Sequence, residues 1–375
     1  MKFTIPTQEL HYLLNKIQNI VPQKPTIPIL SNFLIEAAND ELILTTTDLN
    51  VSLRCNTEVN IVEEGSTTLP AKKFAQLVRE LTVPNVEITS DSNETTHLLA
   101  GSSKFKLHGM NKESFPDLPD LSEAQSFTLQ QKDFKYLLYC TSFAVSREDN
   151  RYVLTGVLMQ VSDGQVLFVG TDGKRLARTH LPISNLSPAF TNQSIIPLKA
   201  VDEILKNLRD EGEVKISLMP DKIAIHTDQT LIIAKLLIGD YPDIHRIIPE
   251  TVEVSLSLHR EELLTLLRQV SLFVADQNHS VRFTFAEGEL KITANTCDIG
   301  EGIVGMPVNY HGNKLEIAFN PAHFIDILRH CKEDTVTLSL IDAYNPGIIT
   351  DGELKGKLKE ASPLFITMPM RLSED

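Results

Sequence analysis

The chain has 375 residues, 42% hydrophobic and 22% charged, with 35 basic and 49 acidic side chains and a formal net charge of −14. This is the composition of a globular protein with two or three buried cores, and no apolar run approaches the ~20 residues that a membrane-spanning helix needs, so a cytoplasmic protein without membrane contact is expected. Four scattered cysteines with no C-x-x-C pair argue against a zinc ribbon and a disulfide framework, and the acidic balance, taken alone, argues against nucleic acid.

Met1–Pro6 lacks an apolar signal core and reads as a first strand. A helix follows, with Leu10, Leu13, Leu14 and Ile17 at i, i+3, i+4 and i+7, one buried face. A strand runs through Leu44, and a second helix carries Phe74, Leu77, Val78 and Leu81 at the same spacing. After the link Phe115-Pro116-Asp117-Leu118-Pro119-Asp120 the pattern restarts, with Phe134, Leu137 and Leu138 followed by a polar Thr141. Val161–Thr171 is a hairpin about Asp163-Gly164, and the next helix carries Val201, Ile204, Leu205 and Leu208. Leu231–Ile238 reads as a buried strand. A second link runs from Tyr241-Pro242-Asp243 to Ile248-Pro249-Glu250, and both links hold an aromatic-Pro-Asp triplet in stiff, proline-rich sequence. The last third repeats the series: Leu263, Leu266, Leu267 and Val270, a hairpin over Phe283–Ala294 about Glu287-Gly288, then Phe324, Ile327, Leu328 and Cys331.

Leu44, Phe168 and Ile292 fall 124 residues apart, a period far too long for a solenoid. The expected organisation is three copies of one α+β domain, 1–122, 123–250 and 251–375, each with two helices on antiparallel sheets. Copies set on an arc can close a ring when two chains meet head to tail. The six helical segments 8–17, 71–81, 131–141, 198–209, 259–270 and 321–332 together carry a small positive charge, although the whole chain stands at −14. Helices sharing one surface would make that surface mildly basic on an acidic body.

No nucleotide loop, zinc-protease helix, serine-hydrolase elbow or calcium loop is present, so no cofactor and no catalytic residue are expected. Ser103 and Lys106 match S-x-x-K, but on an alternating strand their side chains face opposite sides. His323, Asp326 and His330 share one face of a helix opposite its apolar side, which reads as a solvated or partner-facing stripe more readily than as a metal face. Thr171-Asp172-Gly173-Lys174-Arg175-Leu176 is a turn between strands, elaborated in one repeat only, since Thr47-Asp48 and Asn295-Thr296 lack the Gly-Lys-Arg; such a loop is where a single specific site would sit. The end, Ile366-Thr367-Met368-Pro369-Met370-Arg371-Leu372, sets two flexible thioethers about a proline and suits recognition of varied apolar partners.

Met1-Lys2-Phe3-Thr4, Pro28-Ile29-Leu30, Thr47-Asp48-Leu49, Thr171-Asp172-Gly173-x-Arg175-Leu176, Tyr241-Pro242-Asp243 and Met368-Pro369-Met370-Arg371-Leu372, in order along the whole chain, resemble the bacterial sliding clamps, the beta subunits of DNA polymerase III. The resemblance implies a head-to-tail homodimer forming a ring of six domains, helices lining the hole and sheets outside, that encircles double-stranded DNA without sequence preference and tethers the polymerase as a processivity factor. It implies a partner-peptide pocket at Leu154, Thr171, Gly173, Lys174, Arg175, Leu176, Pro242, Arg246, Ile247, Ile366, Met368, Pro369, Met370 and Arg371. The implied partners are the replicative polymerase alpha subunit, an ATP-dependent clamp loader and other proteins with clamp-binding motifs. DNA contacts carry over to Lys24, Lys72, Lys73, Arg79, Arg147, Arg151, Tyr152 and Lys199. The dimer seam carries over to Lys104, Phe105 and Leu107 against Leu272, Phe273, Asp298 and Glu301. Lys174 departs from the histidine usual in that family, and Ser373-Glu374-Asp375 extends past the pocket. Two rival readings are an enzyme using Asp172–Arg175 on a phosphorylated substrate, which leaves the threefold repeat unexplained, and a peptide-binding scaffold that no longer encircles DNA.

Overall fold

The computed structural model describes residues 1–183, 190–274, 279–296, 299–354 and 356–371. Six helices form where the apolar spacing predicts: α1 (Thr7–Ile17), α2 (Ala71–Arg79), α3 (Gln131–Ser142), α4 (Leu198–Asn207), α5 (Arg260–Val270) and α6 (Pro321–His330). Leu10, Leu13, Leu14 and Ile17 bury as a set in α1, and Leu263, Leu267 and Val270 repeat this in α5. Starts are set by local chemistry: Asn320 accepts the Ala322 amide, with Pro321 in the first turn of α6, and the His259 ring accepts the Glu262 amide at α5.

Two compact units make up the chain, Met1–Lys135 with Lys199–Leu236, and Tyr136–Leu198 with Leu237–Asp375. In the first unit, a five-stranded sheet runs β5 (Asn60–Glu63), β1 (Lys2–Pro6), β7 (Asn85–Ser90), β8 (Thr95–Ala100), β9 (Ser103–His108). Its eight-stranded sheet runs β10 (Gln125–Gln130), β15 (Glu213–Leu218), β16 (Lys222–Thr227), β17 (Thr230–Lys235), β4 (Val51–Glu58), β3 (Glu41–Thr47), β2 (Asn32–Ala38), β6 (Gly65–Pro70). In the second unit, the eight-stranded sheet runs β14 (Asn192–Pro197), β11 (Gly156–Ser162), β12 (Gln165–Thr171), β13 (Arg175–Pro182), β25 (Leu364–Thr367), β24 (Gly347–Asp351), β23 (Thr335–Leu340), β18 (Val254–His259). A four-stranded sheet runs β21 (Gly300–Pro307), β20 (Glu289–Thr296), β19 (Val281–Ala286), β22 (Leu315–Phe319). All named strand pairs are antiparallel, and both expected hairpins are present, β11–β12 and β19–β20.

Each eight-stranded sheet crosses from one sequence third to the next through a single pair, β4 with β17 and β13 with β25. Their registers correspond: Val51 and Ser52 sit opposite Ala234 and Ile233, as Arg175 and Leu176 sit opposite Thr367 and Ile366.

Several expectations change, among them Leu205 of α4 and Leu266 of α5, which are half-buried where the spacing predicts a buried face. The strand read over Leu231–Ile238 ends at Lys235, and Ile238 is 82% exposed, because Leu236 turns to bond Asp221 and Gly239 follows at a φ of +145°. Thr141 is fully buried in spite of its hydroxyl, which donates to the Leu137 carbonyl at 2.8 Å within its own helix. The face of α2 is completed by Ala71 and Ala75, while Leu77 and Leu81 are half-buried. Cys331 is buried at the end of α6, as its spacing predicts, whereas Cys297 lies outside the described residues.

Candidate functional site

The loop joining β12 to β13 is built by two side chains. Thr171 Oγ1 accepts the Gly173 amide at 3.0 Å and donates to the Arg175 carbonyl at 2.6 Å. Asp172 Oδ1 accepts the amides of Lys174 and Arg175 at 2.8 and 2.9 Å. This Asx-type turn forces its middle residue to a positive φ, +82° at Gly173. The first repeat makes the same turn: Thr47 takes the Leu49 amide and Asp48 takes those of Asn50 and Val51, with Leu49 at +74°. The Thr-Asp pair therefore sets the turn, and the Gly-Lys-Arg is what is particular to the second repeat. A β-carbon at Gly173 would also lie 2.3 Å from Arg151 Nη1, which donates to the Asp172 carbonyl at 2.8 Å.

Arg175 is 13% exposed and faces inward. Its guanidinium donates to Asp172 Oδ2 at 3.1 Å, Asp326 Oδ2 at 2.6 Å and the Phe143 carbonyl at 3.0 Å, and lies 5.5 Å from the Phe143 ring centre. The stripe His323–Asp326–His330 is thus half-buried and largely engaged within the chain, where a solvated or partner-facing stripe is expected. Asp326 holds Arg175, and His330 stacks on Phe143 at 4.0 Å and donates from Nδ1 to the Asp326 carbonyl. Among the described residues, no group of three His, Cys, Asp or Glu side chains is set to hold a metal.

Burial pushes both imidazoles, His323 and His330, below the ordinary histidine range, with Arg175 adding to the effect on each. The unfolded chain binds protons at these sites near pH 6.5, where the folded chain does not, so the stability they contribute is present above pH 6.5 and is lost as pH falls below it. The thermal midpoint will fall between pH 7 and pH 5, and His330→Phe will flatten that slope. A melting series at constant ionic strength checks it; an unchanged slope in the variant would remove His330 from the account.

The tail passes beside this loop. The Met368 amide donates to the Lys174 carbonyl and the Met370 amide to the Ala318 carbonyl, both at 2.8 Å. The strand therefore ends at Thr367, with Met368 41% exposed and Pro369 and Met370 half-buried. Leu154, Leu176 and Ile366 bury in one cluster with Tyr241, Ile244 and Ile248, and Ile247 packs against it. Pro242 and Arg246 lie exposed on the same link, where Arg246 pairs with Asp243 at 3.0 Å. Lys174 and Arg371 are exposed. The predicted pocket residues thus gather around one apolar cluster and one rigid loop, except that Arg175 and Thr171 hold the loop from within.

Sequence reasoning missed the groups that anchor it: Phe143 and Asp326 on Arg175, Tyr241 in the floor, and Arg178. Buried in β13, Arg178 donates to the carbonyls of Lys359 at 2.8 Å and Ala361 at 3.0 Å and so fixes the approach to β25. A lone arginine in an alternating strand carries no signal of such a role.

Of the eight residues carried over to DNA, Lys24, Lys72, Lys73, Arg79 and Arg147 are exposed, and Tyr152 is 57% exposed. Arg151 is tied to the Asp172 carbonyl and Lys199 is paired with Asp48. Tyr12, Lys16 and Arg209 form a further basic cluster that the sequence reading did not name, with Lys16 4.7 Å over the Tyr12 ring.

Of the seam residues, Phe105 and Leu107 are half-buried on β9, an edge strand, with Lys104 exposed beside them. Leu272 is 72% exposed just beyond α5. The Phe273 ring packs on Gly302 of β21, where a β-carbon would come within 2.6 Å of it. Glu301 is exposed on β21, and Asp298 lies outside the described residues. No helix among the described residues is long and apolar enough to cross a membrane.

Comparison with known proteins bears on the chain as a whole. Family models for the N-terminal, central and C-terminal domains of the DNA polymerase III beta subunit match residues 1–119, 128–243 and 245–359. A beta sliding clamp from Chlamydia pneumoniae is 51% identical over 375 residues, covering 100% of both chains. The beta sliding clamp of Escherichia coli K12 is 30% identical, with 99% of this chain and 100% of that one covered. The crystal structure of the Pseudomonas aeruginosa DNA polymerase III subunit beta superposes with a TM-score of 0.93 at 29% identity, over 99% of this chain and 100% of that one.

Proposed function

This chain belongs to the DNA polymerase III beta subunit family, a processivity clamp and not an enzyme, and we propose that it works as a head-to-tail homodimeric ring around duplex DNA. One observation carries the reading. The two eight-stranded sheets correspond strand by strand, β10-β15-β16-β17 joined to β4-β3-β2-β6 and β18-β23-β24-β25 joined to β13-β12-β11-β14. The same halves recur unjoined as β1-β7-β8-β9 and β21-β20-β19-β22. In them β9 holds the place of β17 and β25, and β21 holds the place of β4 and β13, yet both are edges. Pairing β9 of one chain with β21 of a second supplies the missing joint, and a head-to-tail pair supplies it twice, leaving no unmatched edge of this kind. Phe105 and Leu107 then meet Leu272 and Phe273 of the partner subunit, with Lys104 near the partner's Glu301.

In this reading the domains are 1–122, 123–250 and 251–375. Lys24, Lys72, Lys73, Arg79, Arg147 and Tyr152 make weak, sequence-independent contacts that let the ring slide, while enclosure prevents its loss. Leu154, Leu176, Ile247, Ile366, Met368, Pro369 and Met370 form the apolar pocket for short motifs of the polymerase alpha subunit, the clamp loader and other clamp-binding proteins in the cytoplasm. Lys174 at its rim favours acidic flanking residues. The energy for opening comes from the ATP-driven loader.

The test is retention on DNA. The chain is loaded by its clamp loader and ATP onto nicked circular DNA, freed of unbound protein, and half the sample is linearised. Loss from the linear form with retention on the circle is expected. Equal retention on both would mean direct gripping and end the sliding reading; retention on neither, with a control clamp loading normally, would favour the scaffold.

A further inference from the structure

The repeat lets each helix contact within the chain be compared with its counterpart at the place where two chains would meet. Leu10, Phe134 and Leu263 are equivalent, which makes Tyr12, Tyr136 and Thr265 equivalent, and likewise Asn15, Tyr139 and Arg268. Phe74, Val201 and Phe324 are equivalent, which aligns Glu80, Asn207 and His330, and also Thr82, Arg209 and Lys332. At the first joint, Arg209 donates to the Tyr12 hydroxyl at 3.4 Å. At the second, the equivalent Lys332 lies 3.7 Å over the Tyr136 ring. The same pair of positions is therefore in contact at both joints. The second joint adds Tyr139 against His330, ring centres 4.4 Å apart, and the Tyr139 hydroxyl donates to the Arg329 carbonyl at 3.3 Å.

At the third joint the tyrosine and its cation are both replaced by threonine, Thr265 and Thr82, and the positions of Tyr139 and His330 are taken by Arg268 and Glu80. Both are exposed, and neither makes an ion pair within the chain among the described residues. We propose that Arg268 on α5 pairs with the partner subunit's Glu80 at the end of α2, so that an ion pair closes the joint between chains where tyrosine contacts close the joints within them. This rests on the homodimer reading. The aromatic contacts are largely insensitive to ionic strength, whereas a solvent-facing ion pair weakens as salt rises. The joint between chains is then the one that salt, or a competing charged surface on a loader, loosens selectively.

The experiment is subunit exchange between donor- and acceptor-labelled full-length dimers, followed by energy transfer at 50 mM and 500 mM salt. Glu80→Arg and Arg268→Glu will each speed exchange about tenfold at low salt, since like charges then face each other at both seams of a ring. The double variant Glu80→Arg/Arg268→Glu will return to within about twofold of wild type. Circular dichroism spectra of the full-length variants should match wild type, both side chains being exposed. Single reversals without effect, or a double variant as fast as the singles combined, would overturn the pair while leaving the dimer. A wild-type chain that sediments as a monomer would overturn the dimer reading, and the pair with it.

Discussion

Arg175→Ala will melt at a markedly lower temperature and will lose peptide binding at the same time. Three bonds end on this guanidinium, to Asp172, Asp326 and the Phe143 carbonyl, and its plane covers the Phe143 ring. Truncation leaves the partly buried Asp172 carboxylate without its cation and Asp326 with only Arg329, 3.8 Å away. Removing one member of a buried pair costs about 3–5 kcal/mol. Asp326 keeps some solvent, so a loss of about 2–4 kcal/mol is expected. The loop that carries the Lys174 carbonyl, on which the Met368 amide rests, loses its brace, so the proposed pocket degrades along with stability. From the sequence alone this substitution looks like a clean way to abolish peptide binding in intact rings; the internal network makes it a poor one. Met370→Ala is the better separation, because its side chain is half-buried and only its backbone amide is committed. Anisotropy with a fluorescent apolar peptide should show Met370→Ala binding weakly at a wild-type melting temperature. Arg175→Ala melting within a degree or two of wild type would show that the network contributes little.

Much of this architecture was legible because it is written three times. The i, i+3, i+4, i+7 sets located every helix to within a few residues, and paired turn residues located both hairpins, since periodicity reports directly on which face must leave water. What resisted reading was polar and long-range. Thr141 breaks the apolar pattern but remains buried because its hydroxyl closes on its own helix. Asp326 looked solvent-facing because one helix read alone has no neighbour, and its partner Arg175 lies 151 residues away. Arg151 and Lys199 look like free cations in sequence, and only the fold shows the Asp172 carbonyl and the Asp48 carboxylate that hold them. The turn at Thr171 is legible in the sequence, but its cause is not: a Thr-Asp pair sets it, and the same pair works at Thr47-Asp48 without glycine.

Leu272→Asp will turn dimers into monomers without unfolding them. Leu272 is 72% exposed within the chain, so a carboxylate there meets water and the fold is indifferent to it. Across the proposed seam the same position packs against the apolar Phe105 and Leu107 of the partner subunit, and a carboxylate would be desolvated with no cation assigned to it. Burying an unpaired polar or charged group costs at least about 2–3 kcal/mol, and a head-to-tail dimer incurs it at both seams, so dissociation should strengthen by at least about a thousandfold. Sedimentation velocity at micromolar protein separates the outcomes: wild type near 84 kDa, about twice the 41.9 kDa of one chain, and the variant near the mass of one chain with an unchanged circular dichroism spectrum. The DNA result follows from geometry, because a monomer encloses nothing and should be lost from circular and linear DNA alike while still binding the apolar peptide. Dimers that survive Leu272→Asp would mean that chains meet through a surface other than β9 and β21, and the correspondence of the sheets would then have to be explained by something other than ring closure.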